Sequence, residues 1–338
     1  MRVSIRSPRS RGALLAACVV AVVGAATVVP GPAYARPSDT AGTARTAPVS
    51  ATAPLSGNKV AGAVYGTTAV QRAGTAASGF RSTHQDIVAS AQHADANVGT
   101  GADTGAAAPQ ASQLHDWWGT FPNTNSGPGG MATQSVDPNL RLSNSADVLY
   151  APTMTPANNS CIEVVTVHTT TTPQVWAWDW CNSIAPGAEV DVDSSFLSNY
   201  TTTVNGRIAY TQKNVQTNKS TNTWTAYLYN VRTGAWDTLF TSSGTDQSGL
   251  SYGWDMFEFY SSTNPSTGNT YVCGDLAKAK ETIESSNVQV DTASGWAPSG
   301  PGNSTWQPSA SPNPSSYKCP KMVFHIVTNN SDWTVYDS

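Results

Sequence analysis

Cys161-Ile162-Glu163-Val164-Val165-Thr166-Val167-His168, a Thr/Pro run over residues 169–173, and Gln174-Val175-Trp176-Ala177-Trp178-Asp179-Trp180-Cys181 decide the fold class. Both halves alternate and are rich in β-branched and aromatic residues, which suit a pleated, half-buried strand. Thr and Pro between them supply a turn or short loop. The stretch therefore predicts a β-hairpin stapled by its two cysteines. If the cysteines face each other, Glu163 lies opposite Asp179, Val165 opposite Ala177 and Val167 opposite Val175, all on one face. Ile162, Val164 and Thr166 then share the other face with Trp176, Trp178 and Trp180.

Similar strands continue on both sides. Residues 147–152, 207–215, 223–231, 236–240, 254–260, 322–328 and 333–336 each read as a short strand. Glu189-Val190-Asp191-Val192-Asp193 alternates strictly, so valines point one way and carboxylates the other. Residues 223–231 and 236–240 form a hairpin around Arg232-Thr233-Gly234-Ala235, where glycine suits a positive φ. A short helix is predicted over residues 276–285 with Asp275 as its N-cap. Many short strands, little helix and no repeat of propeller length predict an all-β, two-sheet antiparallel sandwich over residues 113–338.

The amino-terminal third differs in composition. Arg2, Arg6, Arg9 and Arg11, the apolar run from Ala13 to Val23, and Ala33-Tyr34-Ala35 read as a secretory signal over residues 1–35. That run is too short for a membrane anchor, so no membrane span is expected. Residues 36–112 are dominated by Ala, Thr, Gly, Ser and Pro and read as a disordered linker or pro-segment; a weak helix is conceivable over 80–98. Of five cysteines, Cys18 leaves with the signal. The remaining even set in an exported chain reads as disulfides, Cys161–Cys181 and Cys273–Cys319. No C-x-x-C is present, and His168 alone neighbours a cysteine, so neither a metal nor another cofactor is expected. Loss of the four signal arginines takes the formal charge from −4 to about −8, which disfavours nucleic acid as a partner. The expected location is extracellular.

Two functional readings follow. Eleven tryptophans are a heavy aromatic load for this chain. Trp224, Trp236, Trp296 and Trp306 lie near turns or loops, where indoles can stack on sugar rings. They suggest a non-catalytic module binding an extracellular glycan or a protein ligand. The alternative rests on acids. Glu163 against Asp179 would be a like-charge pair able to share a proton, and Glu258 on the Trp254–Tyr260 strand is a third acid. Asp255 falls on the opposite face of that strand by parity. Gly249-Leu250-Ser251-Tyr252-Gly253 matches G-x-S-x-G, but no strand precedes it and no helix follows, so a nucleophile elbow is not expected.

The order of these strands resembles the glutamic peptidase (eqolisin) family. Cys161-Ile162-Glu163-Val164-Val165-Thr166 is similar to that family's Val-Glu-Gln-Thr-Gly strand. Val175-Trp176-Ala177-Trp178-Asp179-Trp180 is similar to its Ala-Trp-Tyr-Glu-Trp-Tyr strand. Ile184-Ala185-Pro186-Gly187 resembles its Pro-Gly-Asp turn, and Trp254 to Tyr260 its Ala-Glu-Trp-Ile-x-Glu strand. The likeness covers about residues 160–260 and implies a concanavalin-like sandwich. The family's catalytic Gln falls on Val164, and its catalytic Glu on Trp254 or, with a shift, on Glu258. Neprosin-like relatives use two glutamates, which Glu163 and Glu258 would match. The resemblance thus implies an acid-acting peptidase with Glu163 and Glu258 as its pair and Asp179 nearby.

Overall fold

The structure is a computed structural model, and it describes residues 48–74, 113–181, 186–242 and 247–338. The signal, the segment read as a weak helix over 80–98, and Ile184 and Ala185 of the predicted turn lie outside them.

The strands, in chain order, are β1 (Leu55–Lys59), β2 (Val64–Tyr65), β3 (Gln113–Pro122), β4 (Gly129–Ser135), β5 (Val148–Thr155) and β6 (Ile162–His168). Then come β7 (Gln174–Asp179), β8 (Ala188–Asp191), β9 (Thr201–Val204), β10 (Arg207–Asn218), β11 (Thr223–Asn230) and β12 (Ala235–Thr241). Finally there are β13 (Trp254–Ser262), β14 (Thr282–Thr292), β15 (Gly295–Pro298), β16 (Ser304–Gln307), β17 (Met322–Thr328) and β18 (Asp332–Asp337). One sheet runs β1-β12-β11-β10-β4-β14-β18-β17, with β9 and β15 at its side. The other runs β16-β3-β13-β5-β6-β7-β8-β2. All pairings are antiparallel except β1 on β12. The predicted all-β sandwich is therefore the fold.

The space between the sheets is filled from both sides. Ile162, Val164, Val175, Ala177 and Val190 meet Trp224, Ala226, Leu228 and Tyr210. Towards the other end, Trp118, Leu149, Phe257 and Phe259 meet Ile283, Trp333 and Val335. Removing this apolar surface from water is the main stabilising term. A polar seam also crosses the core. Gln134 on β4 accepts from Tyr210 and Gln212, and Gln212 also donates to the Val164 carbonyl of the facing sheet at 3.2 Å.

Both predicted disulfides are present, with Cα–Cα separations of 5.2 Å for Cys161–Cys181 and 5.6 Å for Cys273–Cys319. The hairpin of β11 and β12 also forms as read, with Gly234 at φ 68°. The helix near residue 276 begins earlier than predicted. It spans Tyr271–Ala279, its N-cap is Thr270, and Lys280 ends it at φ 55°. Asp275 is not a cap but lies within the helix, where its carboxylate accepts from the Ser143 amide.

The linker reading fails for residues 48–74. β1 adds to the edge at β12, and β2 adds to the edge at β8. Residues 67–74 are helical, and Ala51, Val60, Ala69 and Ala73 are buried. Small side chains suffice here because the sandwich supplies the apolar partners, which composition alone does not reveal.

Candidate active site

The predicted hairpin exists, but its register is one residue away from the expected one. Glu163 pairs with Trp178, Val165 with Trp176, and Ile162 with Asp179. The bridge does not mark a directly opposed pair, because the Trp180 amide donates to the Cys161 carbonyl just beyond the ladder. A one-residue slip moves a whole strand to the other face. Glu163, Val165 and Val167 thus share the outer face with Trp176, Trp178 and Trp180. Asp179 points to the other side of the sheet, where it is 2% exposed and accepts from the Cys181 amide. The expected Glu163–Asp179 pair does not form, and Asp179 is not part of the site.

On that outer face Glu163 is fully buried. Trp254 Nε1 donates to its Oε1 at 2.8 Å, and Trp180 Nε1 donates to its Oε2 at 2.7 Å. The Thr153 hydroxyl also bonds Oε1. These donors come from β13, the end of β7 and β5. Hydrogen bonds of this kind offset the cost of withdrawing a carboxylate from water.

Glu258 occupies the same face. β13 turns Trp254, Met256, Glu258 and Tyr260 outward and Asp255, Phe257 and Phe259 into the core, as alternation requires. Glu258 is fully buried and pairs in register with Trp117 on β3 and Tyr150 on β5. The Tyr260 hydroxyl donates to Glu258 Oε1 at 2.7 Å, and His115 Nε2 lies 2.8 Å from the same oxygen.

β5 lies between β13 and β6, and in register Tyr150 stands between Glu258 and Val167, with Glu163 four residues further along β6. Burial drives the Tyr150 hydroxyl well above its ordinary pKa, and the charges of Glu258 and Glu163 both push it further. Tyr150, Trp176, Trp178, Tyr260, Val165 and Val167 pack into one aromatic-rich cluster, and Ala73 of the amino-terminal segment packs into it too. Glu163 and Glu258 thus share one aromatic face, but in register they lie four residues apart along the strands.

A third buried acid, Glu189, lies on this face near its edge, opposite Trp176. Arg72 Nε is 2.8 Å from Glu189 Oε1, and the Arg72 guanidinium also reaches Asp191. Burial raises Glu189 to about 7, against the lowering pull of Arg72.

The aromatic residues proposed as a sugar platform are not available. Trp224 and Trp236 are fully buried. Trp296 is half-buried against the cluster of Met131, Tyr227 and Trp236. Trp306 is half-buried and stacked on Trp118 at 4.9 Å. Nearness to a turn does not expose a side chain whose parity turns it inward. Ser251 of G-x-S-x-G is exposed in a loop that leads directly into β13, with no helix after it.

Several site residues carried no sequence signal of their own. Tyr150 and Thr153 were unremarked strand residues, and Trp180 was expected on the face away from Glu163. His115 belongs to the aromatic motif His115-Asp116-Trp117-Trp118-Gly119. Gly119 ends that motif, and a Cβ there would collide with the Asp255 carbonyl and with Met256, so this glycine allows β3 to pack against β13. Among the described residues Cys161, Asp179 and Cys181 are the group close enough to suggest a metal site, but both thiols are consumed in the disulfide. No helix of the described residues is long and apolar enough to cross a membrane.

The sequence matches no family model, and no curated protein matches it. Among solved structures, it is similar to scytalido-glutamic peptidase with a peptide-based transition state analog, at 10% identity and TM-score 0.40. A second structure of scytalido-glutamic peptidase, with a transition state analog inhibitor, gives 10% identity and TM-score 0.42. SCP-B, a member of the eqolisin family of peptidases in complex with the tripeptide Ala-Ile-His, gives 11% identity and TM-score 0.41. Each match covers 67% of this chain and 100% of the other.

Proposed function

We propose that this chain is an exported, acid-acting peptidase in which Glu163 and Glu258 form the acid–base pair. The observation that carries the reading is their placement: two fully buried glutamates on one sheet face, with a tyrosine that feels both charges. Amide hydrolysis by two carboxyl groups needs one in the ionised and one in the protonated form, which acid pH supplies. The ionised carboxylate takes a proton from water as the water oxygen bonds to the amide carbon. The protonated one gives its proton to the departing nitrogen as the C–N bond breaks. One water is consumed, and the pair returns to its starting state by exchanging the proton between the two carboxyl groups. The aromatic surroundings suit a substrate strand with apolar side chains. The glycan-binding reading loses support, because Trp224 and Trp236 are fully buried and Trp296 and Trp306 are half-buried against other aromatic residues.

Export fits two disulfides joining four cysteines, a pairing that needs an oxidising compartment.

The test is cleavage of a denatured protein by the purified chain across acid to neutral pH. Glu163→Gln and Glu258→Gln are each expected to lower kcat about 10²–10⁴-fold, the usual share of one acid–base group. Wild-type activity that survives both substitutions, or no cleavage at any pH, sinks the proposal.

A further inference from the structure

We infer that the outer face of the other sheet carries a separate binding site for a short peptide of small residues, built on Lys213 and Trp236 and filled here by the chain's own residues 49–54. The inference does not depend on the peptidase reading. Gln212 reaches across to the facing sheet, so its neighbour Lys213 on β10 points outward. Met131, Lys213 and Tyr227 form one row across β4, β10 and β11. Trp236 on β12 pairs with Tyr229 beside that row. Lys213 Nζ stands 4.4 Å from the ring centre of Trp236 and 5.4 Å from that of Tyr227.

Lys213 is 6% exposed, and a lysine so buried ordinarily meets a carboxylate. Among the described residues no carboxylate pairs with it, and its hydrogen-bond acceptor is the Ala51 carbonyl at 2.8 Å. Burial lowers it to about 8, so it stays mainly charged at neutral pH and needs that acceptor. Trp236 offers two more donors to the same segment. Its Nε1 donates to the Ser50 carbonyl at 3.3 Å, and its amide donates to the Pro54 carbonyl at 2.8 Å. Three main-chain carbonyls are thus held by groups of the sheet. Val49, Ala51 and Ala53 supply the apolar contact, packing with Met131, Tyr227 and Trp236, while Ser50 and Thr52 between them are exposed. The cation and the aromatic rings belong wholly to the sheet, and the segment contributes only carbonyls and small side chains. Main-chain hydrogen bonds combined with pockets for alternate side chains are how a folded surface takes a peptide ligand.

The experiment vacates this face in the full chain with Ala51→Arg or, separately, Ala53→Arg, since neither small side chain leaves room for a long cation beside Lys213 and Trp236. Limited proteolysis within residues 48–54 reports the release. The probe is a fluorescein-labelled synthetic peptide of residues 48–56, followed by fluorescence anisotropy. It is expected to bind the released variants and to bind wild type at least about 10-fold more weakly, because the tethered segment competes there at high effective concentration. Lys213→Met added to Ala53→Arg is expected to weaken binding about 10–100-fold, the share of one hydrogen bond to a charged group. If Ala53→Arg does not fold, the same comparison is made on Ala51→Arg. No binding to a released variant, or binding that Lys213→Met leaves unchanged, overturns the inference. Failure of both arginine variants to fold overturns it too, because residues 49–54 would then be part of the core and not a ligand in place.

Discussion

Asp255 and Glu258 are fully buried carboxylates on the same strand, yet they face opposite sides of it and have different company. Asp255 points between the sheets. It accepts from Gln134 Nε2 at 3.1 Å, Ser285 Oγ at 3.0 Å and Trp333 Nε1 at 2.7 Å. All three donors belong to the opposite sheet, so this acid ties the two layers together. Glu258 is held by its own sheet, through Tyr260 and His115, and shares its face with a second glutamate. Burial alone therefore does not mark a functional acid. A carboxylate saturated by neutral donors across a core is a structural fastener. A carboxylate on the outer aromatic face, with a histidine against it and a second buried glutamate on the same face, is a candidate for proton transfer.

The largest expected effect separates these roles directly. Asp255→Ala leaves an amide, a hydroxyl and an indole N–H without their acceptor in the core. Its expected cost is about 3–5 kcal/mol of stability. Glu258→Gln keeps an acceptor for its partners and removes a charge from the face it shares with Glu163, so its stability should stay within about 1 kcal/mol of wild type. Urea unfolding of both variants decides the matter. Equal losses would mean that Glu258 is a fastener too.

A smaller effect concerns the edge of the same outer face. Glu189 is buried there like Glu163 and Glu258, but its partner is a full cation from the amino-terminal segment. Arg72→Ala removes that partner from a carboxylate already pushed up by burial. We expect a loss of about 1–3 kcal/mol, the cost of leaving a buried group unsatisfied, together with faster proteolysis within residues 48–74. Unchanged stability would show that β1 and β2 alone hold this segment on the sheet edges.

These contrasts also show what the sequence could and could not convey. Alternation and turn residues sufficed for the sandwich, and an even cysteine count with one pair bracketing a hairpin sufficed for the disulfides. Parity correctly separated Asp255 from Glu258, because it depends only on position within one strand. Pairing between strands does not, and the Cys161–Cys181 bridge misled it. The bond tolerates a diagonal approach, so an assumption of direct opposition shifted the register by one and sent Glu163 to the wrong face. The tryptophans failed for a related reason: Trp224 looks free beside a turn, but only the facing sheet shows it to be core. Residues 48–74 were misread because β1 and β2 draw their stability from pre-existing edges, and edges are not visible in composition. His115 was hidden because its contact with Glu258 exists only where β3 lies beside β13.

The smallest effect is in the pH dependence of stability, and it returns to Asp255. Burial lifts its carboxyl to about 6, against the lowering effect of its three hydrogen bonds. An unfolded aspartate titrates near 4. The native state therefore binds this proton more tightly than the unfolded state does. The stabilisation is fully present below about pH 4 and is lost as pH rises through about 6, with a slope of at most about 1.4 kcal/mol per pH unit. His168 works in the opposite sense. Burial lowers it to about 4, so its contribution is present above the unfolded value near 6.5 and is lost as pH falls towards 4. Between about pH 4 and 6 His168 opposes the Asp255 slope, while Asp116, Glu189 and Glu281, each raised by burial to about 7, act in the same sense as Asp255. Asp255→Asn removes the Asp255 slope while keeping an acceptor in the seam. Its stability relative to wild type should then fall as the solution is acidified across that window, by at most about 1.4 kcal/mol per pH unit. Chemical unfolding at a series of pH values reads the slope. A profile for Asp255→Asn that parallels wild type would show that Asp255 does not exchange its proton on unfolding, and the distinction between fastener and proton carrier would have to rest on activity alone.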